Sequence, residues 1–120
     1  MDWKETYKSR IVSAEKAVQA IHSGDRVYLT GNCSVPHMLL NALIERVIDL
    51  TDVELCQPLT VAGSEYLEPE LEGHLRVNSL FISSNVRKAI NDGRADFTPV
   101  LLSELPLLFK RKILPLDVAL

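Results

Sequence analysis

Apolar residues recur along this chain at two different periods, and the switches between them predict its elements. Ala14, Ala17, Val18 and Ile21 are spaced three to four residues apart, which lays one apolar stripe along a helix over residues 13–21. Ser13 is placed to cap that helix, and Glu15 lies in its first turn, where a negative charge faces the positive helix end. Ser23-Gly24-Asp25 ends it, because Gly24 is free to turn left-handed. Over Arg26 to Thr30 the period falls to two: Val27 and Leu29 share one face, Tyr28 takes the other, and a strand is expected. Gly31-Asn32-Cys33-Ser34 makes a tight polar connection, and Pro36 suits a first helical turn, where its missing N–H costs nothing. Met38, Leu39, Ala42, Leu43, Val47 and Ile48 then supply a helix face that continues to about Leu50.

Thr51-Asp52 turns the chain into a second strand, Val53 to Gln57. Residues 58–72 are too polar and too broken by Gly63 and Pro69 to form one regular element. Arg76 to Phe81 reads as a third strand or a strand pair. Val86, Ala89 and Ile90 mark a short helix ended by Asn91-Asp92-Gly93, with Ser84-Asn85 supplying its cap. Ala95 to Pro99 is a short strand running into a loop. Ser103 to Phe109 is helical with Ser103 as cap, and a last strand begins near Asp117. Strands alternating with helices predict an α/β fold with a largely parallel sheet flanked by helices. Ligands in such folds gather at the carboxyl ends of strands. The loops Gly31 to Ser34, Pro58 to Ser64 and Ser83 to Asn85 qualify.

Composition narrows the function. The chain has 120 residues, 47% of them hydrophobic, enough for one core of ordinary size. Its 13 Lys and Arg against 16 Asp and Glu give a net charge of −3, and no basic block interleaves with aromatics, which argues against nucleic acid. Two cysteines, Cys33 and Cys56, without an apolar leader do not make a disulfide scaffold. No apolar run has the roughly 18 residues of a membrane span. A cytoplasmic protein without a membrane role is expected. The end, RKILPLDVAL, stops as an apolar strand starts, and is read as an incomplete domain.

Few side chains are spaced for chemistry. The loop Gly31-Asn32-Cys33-Ser34-Val35-Pro36 has small residues ahead of a helix N-terminus, so it suits either a ligand's oxygen atoms or a tight turn. It lacks both the G-x-G-x-x-G spacing and a following Gly-Lys-Ser/Thr. Cys33 near a helix start, four residues before His37, is a nucleophile candidate without a third orienting group; a small packed thiol is the plainer reading. His22, Cys33, His37, Cys56 and His74 show no local zinc spacing, and no metal is expected. Glu65, Glu68, Glu70 and Glu72 read as a solvated acidic loop, and Arg87, Lys88 and Lys110-Arg111-Lys112 as surface charge.

Several segments, in order, resemble the N-terminal domain of the acetyl-CoA hydrolase/transferase family, which includes 4-hydroxybutyrate and acetate CoA-transferases. They are WKETYKSRIVSAEKAV, SGDRVYLTGNCSVP, the long run EPELEGHLRVNSLFISSNVRKAINDGRADFTPVLLSELPLLF, and LPLDVAL. The resemblance implies a CoA-transferase-like fold (the NagB/RpiA/CoA transferase-like class) and a longer chain with a second α/β domain, often dimeric. It also implies an exchange of coenzyme A between an acyl-CoA thioester and a short-chain carboxylic acid. A glutamate of the second domain carries that exchange through an acyl-glutamyl anhydride and a glutamyl-CoA thioester. No glutamate of residues 1–120 takes that role, and no bound cofactor is implied beyond coenzyme A as substrate.

Carried over by resemblance, Gly31, Asn32, Cys33 and Pro36 line the acyl side of the cleft. Ser84, Asn85 and Arg87 belong to a second strand-end segment, while Asp96 to Pro99 and Ser103-Glu104 shape it. Hydrolysis of the acyl-enzyme by water, and a truncated non-catalytic interaction module, are the alternatives. On either enzymatic reading, residues 1–120 alone are expected to be inactive.

Overall fold

The computed structural model describes residues 2–120. Its helices are α1 (Trp3–Arg10), α2 (Ala14–Ala17, continued as a 3-10 turn over Val18–Ala20), α3 (His37–Val47), α4 (Ser84–Asn91) and α5 (Leu105–Lys110). Its strands are β1 (Arg26–Tyr28), β2 (Val53–Gln57), β3 (Leu75–Ser79), β4 (Asp96–Phe97) and β5 (Val118–Ala119). All five are parallel and lie in the order β4-β3-β2-β1-β5, as the alternating pattern predicts. Two short 3-10 turns, Glu65–Leu67 and Pro69–Leu71, occupy the irregular stretch between β2 and β3.

The alternation of the strands decides what each face of the sheet buries. Val27, Leu29, Val53, Leu55 and Val77 join Val18, Ile21, Leu43, Val47, Val86 and Ala89 of the helices in the main core. The opposite face has a smaller cluster of Cys56, Leu80 and Leu105, with Val100, Phe109, Leu114 and Leu116 against it. There the Tyr28 and Phe109 rings meet edge to face, 5.4 Å apart at 76°.

Arg26 holds three strands together on that second face. Its guanidinium makes a two-pronged pair with Glu54 on β2, at 2.8 and 2.9 Å. Its backbone N–H donates to Asp117 just before β5, and its Nη1 donates to the Pro115 carbonyl. Asn78 on β3 donates to the same Glu54 carboxylate and accepts from Thr98, so a polar row crosses the sheet from β5 to the end of β4.

Several expectations need correction. Helix α1 was not anticipated: it buries no residue, so it carries no apolar stripe to read, and it is held by the Asp2 cap and by Glu5 early and Lys8 and Arg10 late. Met38 is 79% exposed and Ile48 is 49% exposed, because α3 ends at Val47 and only Leu40, Ala42, Leu43 and Val47 turn fully inward. Pro36 stands one position before α3, as its cap residue. The caps of α4 and α5 are Ser83 and Glu104 rather than Ser84-Asn85 and Ser103, and neither makes a side-chain cap bond. Ser13 does cap α2, accepting from the Lys16 N–H, and Gly24 is left-handed at φ +83°.

Candidate functional site at the strand ends

Strand β1 is the point at which the order of the sheet reverses. The chain leaves β1 toward β2 on one side and returns from β4, at the far edge, to lay β5 on the other. Such a reversal opens a crevice beyond the carboxyl ends of the strands. Thr30 donates to the Leu120 carbonyl and Leu120 to that of Tyr28, so β5 borders the crevice directly.

The loops after β1 and β2 are joined to each other. Asn32, left-handed at φ 55°, donates its N–H to the Leu59 carbonyl at 2.6 Å and forms a parallel bridge with Thr60. Gly31 lies so close that a Cβ there would stand 2.3 Å from the Leu59 oxygen. The absent side chain therefore lets one loop approach another, whereas the sequence pattern left ligand approach and turn geometry both open. Within the loop, Ser34 donates from both its N–H and its hydroxyl to the Gly31 carbonyl, and Thr30 Oγ1 donates to the Ser34 carbonyl. Asn32, Cys33 and Ser34 are exposed above the start of α3, where Pro36 leaves the first turn without a side-chain cap.

A cavity of about 570 Å³ opens beside this joint. Tyr28, Asn32, Pro58, Leu59, Leu80 and Phe81 form its floor and one wall, and residues 100–102, Leu105 and Pro106 form the other. A second hollow of about 580 Å³ shares Leu80, Phe81, Val100 and Leu101 and extends toward Phe97, Pro99 and Glu104. The first is lined almost wholly by apolar side chains, with no acidic residue. Its lining suits an apolar group rather than a charged one.

The third loop meets the second through a largely buried polar network that the sequence pattern did not reveal. Tyr66 is 1% exposed, and its hydroxyl accepts from Asn85 Nδ2 at 2.9 Å. The same nitrogen points at the Ala62 and Gly63 carbonyls, at 3.5 and 3.4 Å, while Asn85 Oδ1 accepts from Ser83 Oγ. Thr60 Oγ1 donates to Gln57 Oε1 at 2.8 Å, and Gln57 Nε2 is buried without a partner. Burial raises the pKa of the Tyr66 hydroxyl, and the polar groups of Gln57, Asn85 and Thr60 around it pull it back. One signal was available: Gln57 shares a strand face with Val53 and Leu55, so an amide had to sit at a core position.

The other candidates stay apart. Ser84 and Arg87 are exposed on α4. Cys33 is exposed and Cys56 is buried in the smaller cluster, where burial holds its thiol up at about 11. His22 lies by Asp25, and His74 by the Leu50 carbonyl. Among the described residues no three His, Cys, Asp or Glu gather as a metal site, and no helix is long and apolar enough to cross a membrane. Glu65, Glu68, Glu70 and Glu72 are exposed, away from the apolar cavity.

Residues 1–120 match the family model for the acetyl-CoA hydrolase/transferase N-terminal domain. The chain belongs to that family. Among the relatives of this hydrolase/transferase domain is the 4-hydroxybutyrate coenzyme A transferase of Clostridium kluyveri, 40% identical over 120 residues, which are 100% of this chain and 28% of that protein. The succinyl-CoA:acetate/propanoyl-CoA:succinate CoA transferase of Fasciola hepatica is 43% identical over 102 residues, 83% of this chain and 21% of that protein. The crystal structure of RipA from Yersinia pestis superposes with a TM-score of 0.81 at 27% identity, covering 94% of this chain and 29% of that one. The chain thus spans between 21% and 29% of the lengths it matches, and its sheet is CoA-transferase-like.

Proposed function

We propose that residues 1–120 are the N-terminal part of an enzyme that transfers coenzyme A between an acyl-CoA and a short-chain carboxylic acid. In this reading a second domain, beyond these residues, brings the nucleophile. The carrying observation is the apolar cavity of about 570 Å³ at the strand ends, which has no carboxylate of its own. The relatives named for CoA transfer at 40% and 43% identity support the same reading.

The proposed chemistry needs a carboxylate from outside. A glutamate oxygen attacks the thioester carbonyl and coenzyme A leaves as thiolate, giving a mixed anhydride. The thiolate then attacks the glutamyl carbonyl and releases the first acid as carboxylate. The acceptor carboxylate attacks the resulting glutamyl thioester, and the thiolate returns to the new acyl group, regenerating the glutamate. Gly31, Asn32, Cys33 and Pro36 provide one wall of the cleft, where the first-turn amides of α3 face developing negative charge on the carbonyl. Ser84 and Asn85 belong to the second strand-end segment beside that wall, and the full-length protein works as a homodimer without a bound cofactor.

The test uses the full-length protein with acetyl-CoA as donor and butyrate or 4-hydroxybutyrate as acceptor. Acceptor-dependent formation of the new acyl-CoA without free thiol is the expected result. Thiol release independent of acceptor would make the protein a hydrolase, and neither product would remove the reading.

A further inference from the structure

Segment 58–64 forms a wall of the apolar cavity through Pro58 and Leu59, yet it lies outside any helix or long strand. Backbone of that kind keeps its place only where side chains or other backbone hold it. Here the holding points are few and identifiable. Thr60 is tied to Gln57 at the end of β2. Asn85 reaches the Ala62 and Gly63 carbonyls from the first turn of α4 and is turned toward them by Ser83 on its oxygen side. Tyr66, packed in the main core, accepts from the same Asn85 nitrogen. Its ring is fixed by burial, so its hydroxyl is a stationary post for that amide.

We propose that Tyr66 and Asn85 are positioning residues: they clamp segment 58–64 against the loop 31–34 and thereby set the width of the acyl cleft, and with it the length of carboxylic acid accepted. This rests on the CoA-transfer reading above. Asn85 on this account touches the wall of the cleft and not the substrate. The link to the first loop is the Asn32 N–H on the Leu59 carbonyl. A shift of segment 58–64 therefore carries the loop 31–34 with it and moves that wall toward or away from the one formed by residues 100–106.

The experiment compares Tyr66→Phe and Asn85→Asp with Val47→Ala in the full-length protein. Tyr66→Phe removes only the hydroxyl, and Asn85→Asp keeps the oxygen facing Ser83 but loses the donor. Val47 is fully buried at the far end of α3 and serves as a control for lost stability. With acetyl-CoA as donor, both clamp variants should change the ratio of kcat/KM for hexanoate over propionate by about 3- to 10-fold, mostly through KM. Amide exchange over 60–64 should quicken by about 10-fold. Val47→Ala should lower Tm while leaving the acid ratio and the exchange of 60–64 as they were. A wild-type protein without CoA exchange would sink the functional reading, whereas an active wild type whose clamp variants keep the acid ratio, or keep slow exchange over 60–64, would overturn the clamp alone.

Discussion

The backbone N–H of Asn32 donates to the carbonyl oxygen of Leu59 at 2.6 Å, so the loop after the first strand is fastened to the loop after the second. That joint leaves no room beside Gly31, where an added Cβ would fall 2.3 Å from the same oxygen. Gly31→Ala should therefore lower stability by about 1–3 kcal/mol, the usual range for forced overpacking. Gly73→Ala is the comparison: its Cβ would meet nothing within 4 Å, and only its φ of +84° opposes the change, at about 1 kcal/mol. Urea unfolding midpoints of the two variants should rank in that order, and equal losses would remove the steric account of Gly31.

Thr60 and Gln57 form a pair whose halves depend on each other. Thr60→Val leaves the Gln57 oxygen buried without its donor and should cost about 1–3 kcal/mol. Gln57→Met also removes the amide nitrogen that has no partner, so the double variant should cost clearly less than the two single changes added together. A double-mutant cycle in urea measures this, and additive losses would mean that the hydrogen bond contributes nothing.

The two thiols should behave differently. In the folded protein at pH 8 a disulfide reagent should titrate Cys33, which is exposed, and reach Cys56 only on unfolding. Burial lifts the Cys56 pKa to about 11, above the roughly 8.5 of an unfolded thiol. The folded state thus holds that proton more tightly, and the associated stability is intact below about pH 8.5 and lost as pH rises toward the folded value. Cys56→Ala should flatten the alkaline limb of a stability profile between those limits; an unchanged limb would count against the burial effect.

Arg76 and Asp96 join β3 to the edge strand β4 at the surface, with side chains 49% and 52% exposed. The guanidinium holds the Asp96 carboxyl below the usual carboxylate range, with slight burial opposing it. Its contribution is present above the unfolded pKa of about 3.9 and disappears as pH falls through the lower folded value. Solvent screening keeps it near 0.5 kcal/mol. Arg76→Leu should remove that acid-side slope, and added salt should weaken it in the wild type. Slopes that match at low and high salt would contradict the ion pair.

Much of this architecture was legible in residue periodicity. Val53 to Gln57 is the second strand to the residue, because its apolar side chains alternate cleanly and Thr51-Asp52 precedes them. The Ser13 cap and the left-handed Gly24 were visible because each has a local chemical cause. Helix α1 was not, since charge bias and a cap sustain it without an apolar face. The three candidate loops were legible as strand-end segments, but their connection to one another was not. The bonds from Asn32 to Leu59 and from Asn85 to Tyr66 span 27 and 19 residues, and no local pattern records such meetings.

The order of the sheet also has a kinetic consequence. Strands β1, β2 and β3 follow one another with short crossovers, so they are able to assemble as soon as that part of the chain exists. The pairing of β5 with β1 closes a span of 91 residues between Arg26 and Asp117. Closing so long a loop is entropically slow and gains little until the neighbouring strands are in place. The edge that β5 lends to the crevice is consequently expected to form after β1, β2 and β3 have paired. A ribosome-bound chain arrested before Pro115 should hold the paired strands β1 to β3 while lacking the β5 edge of the crevice.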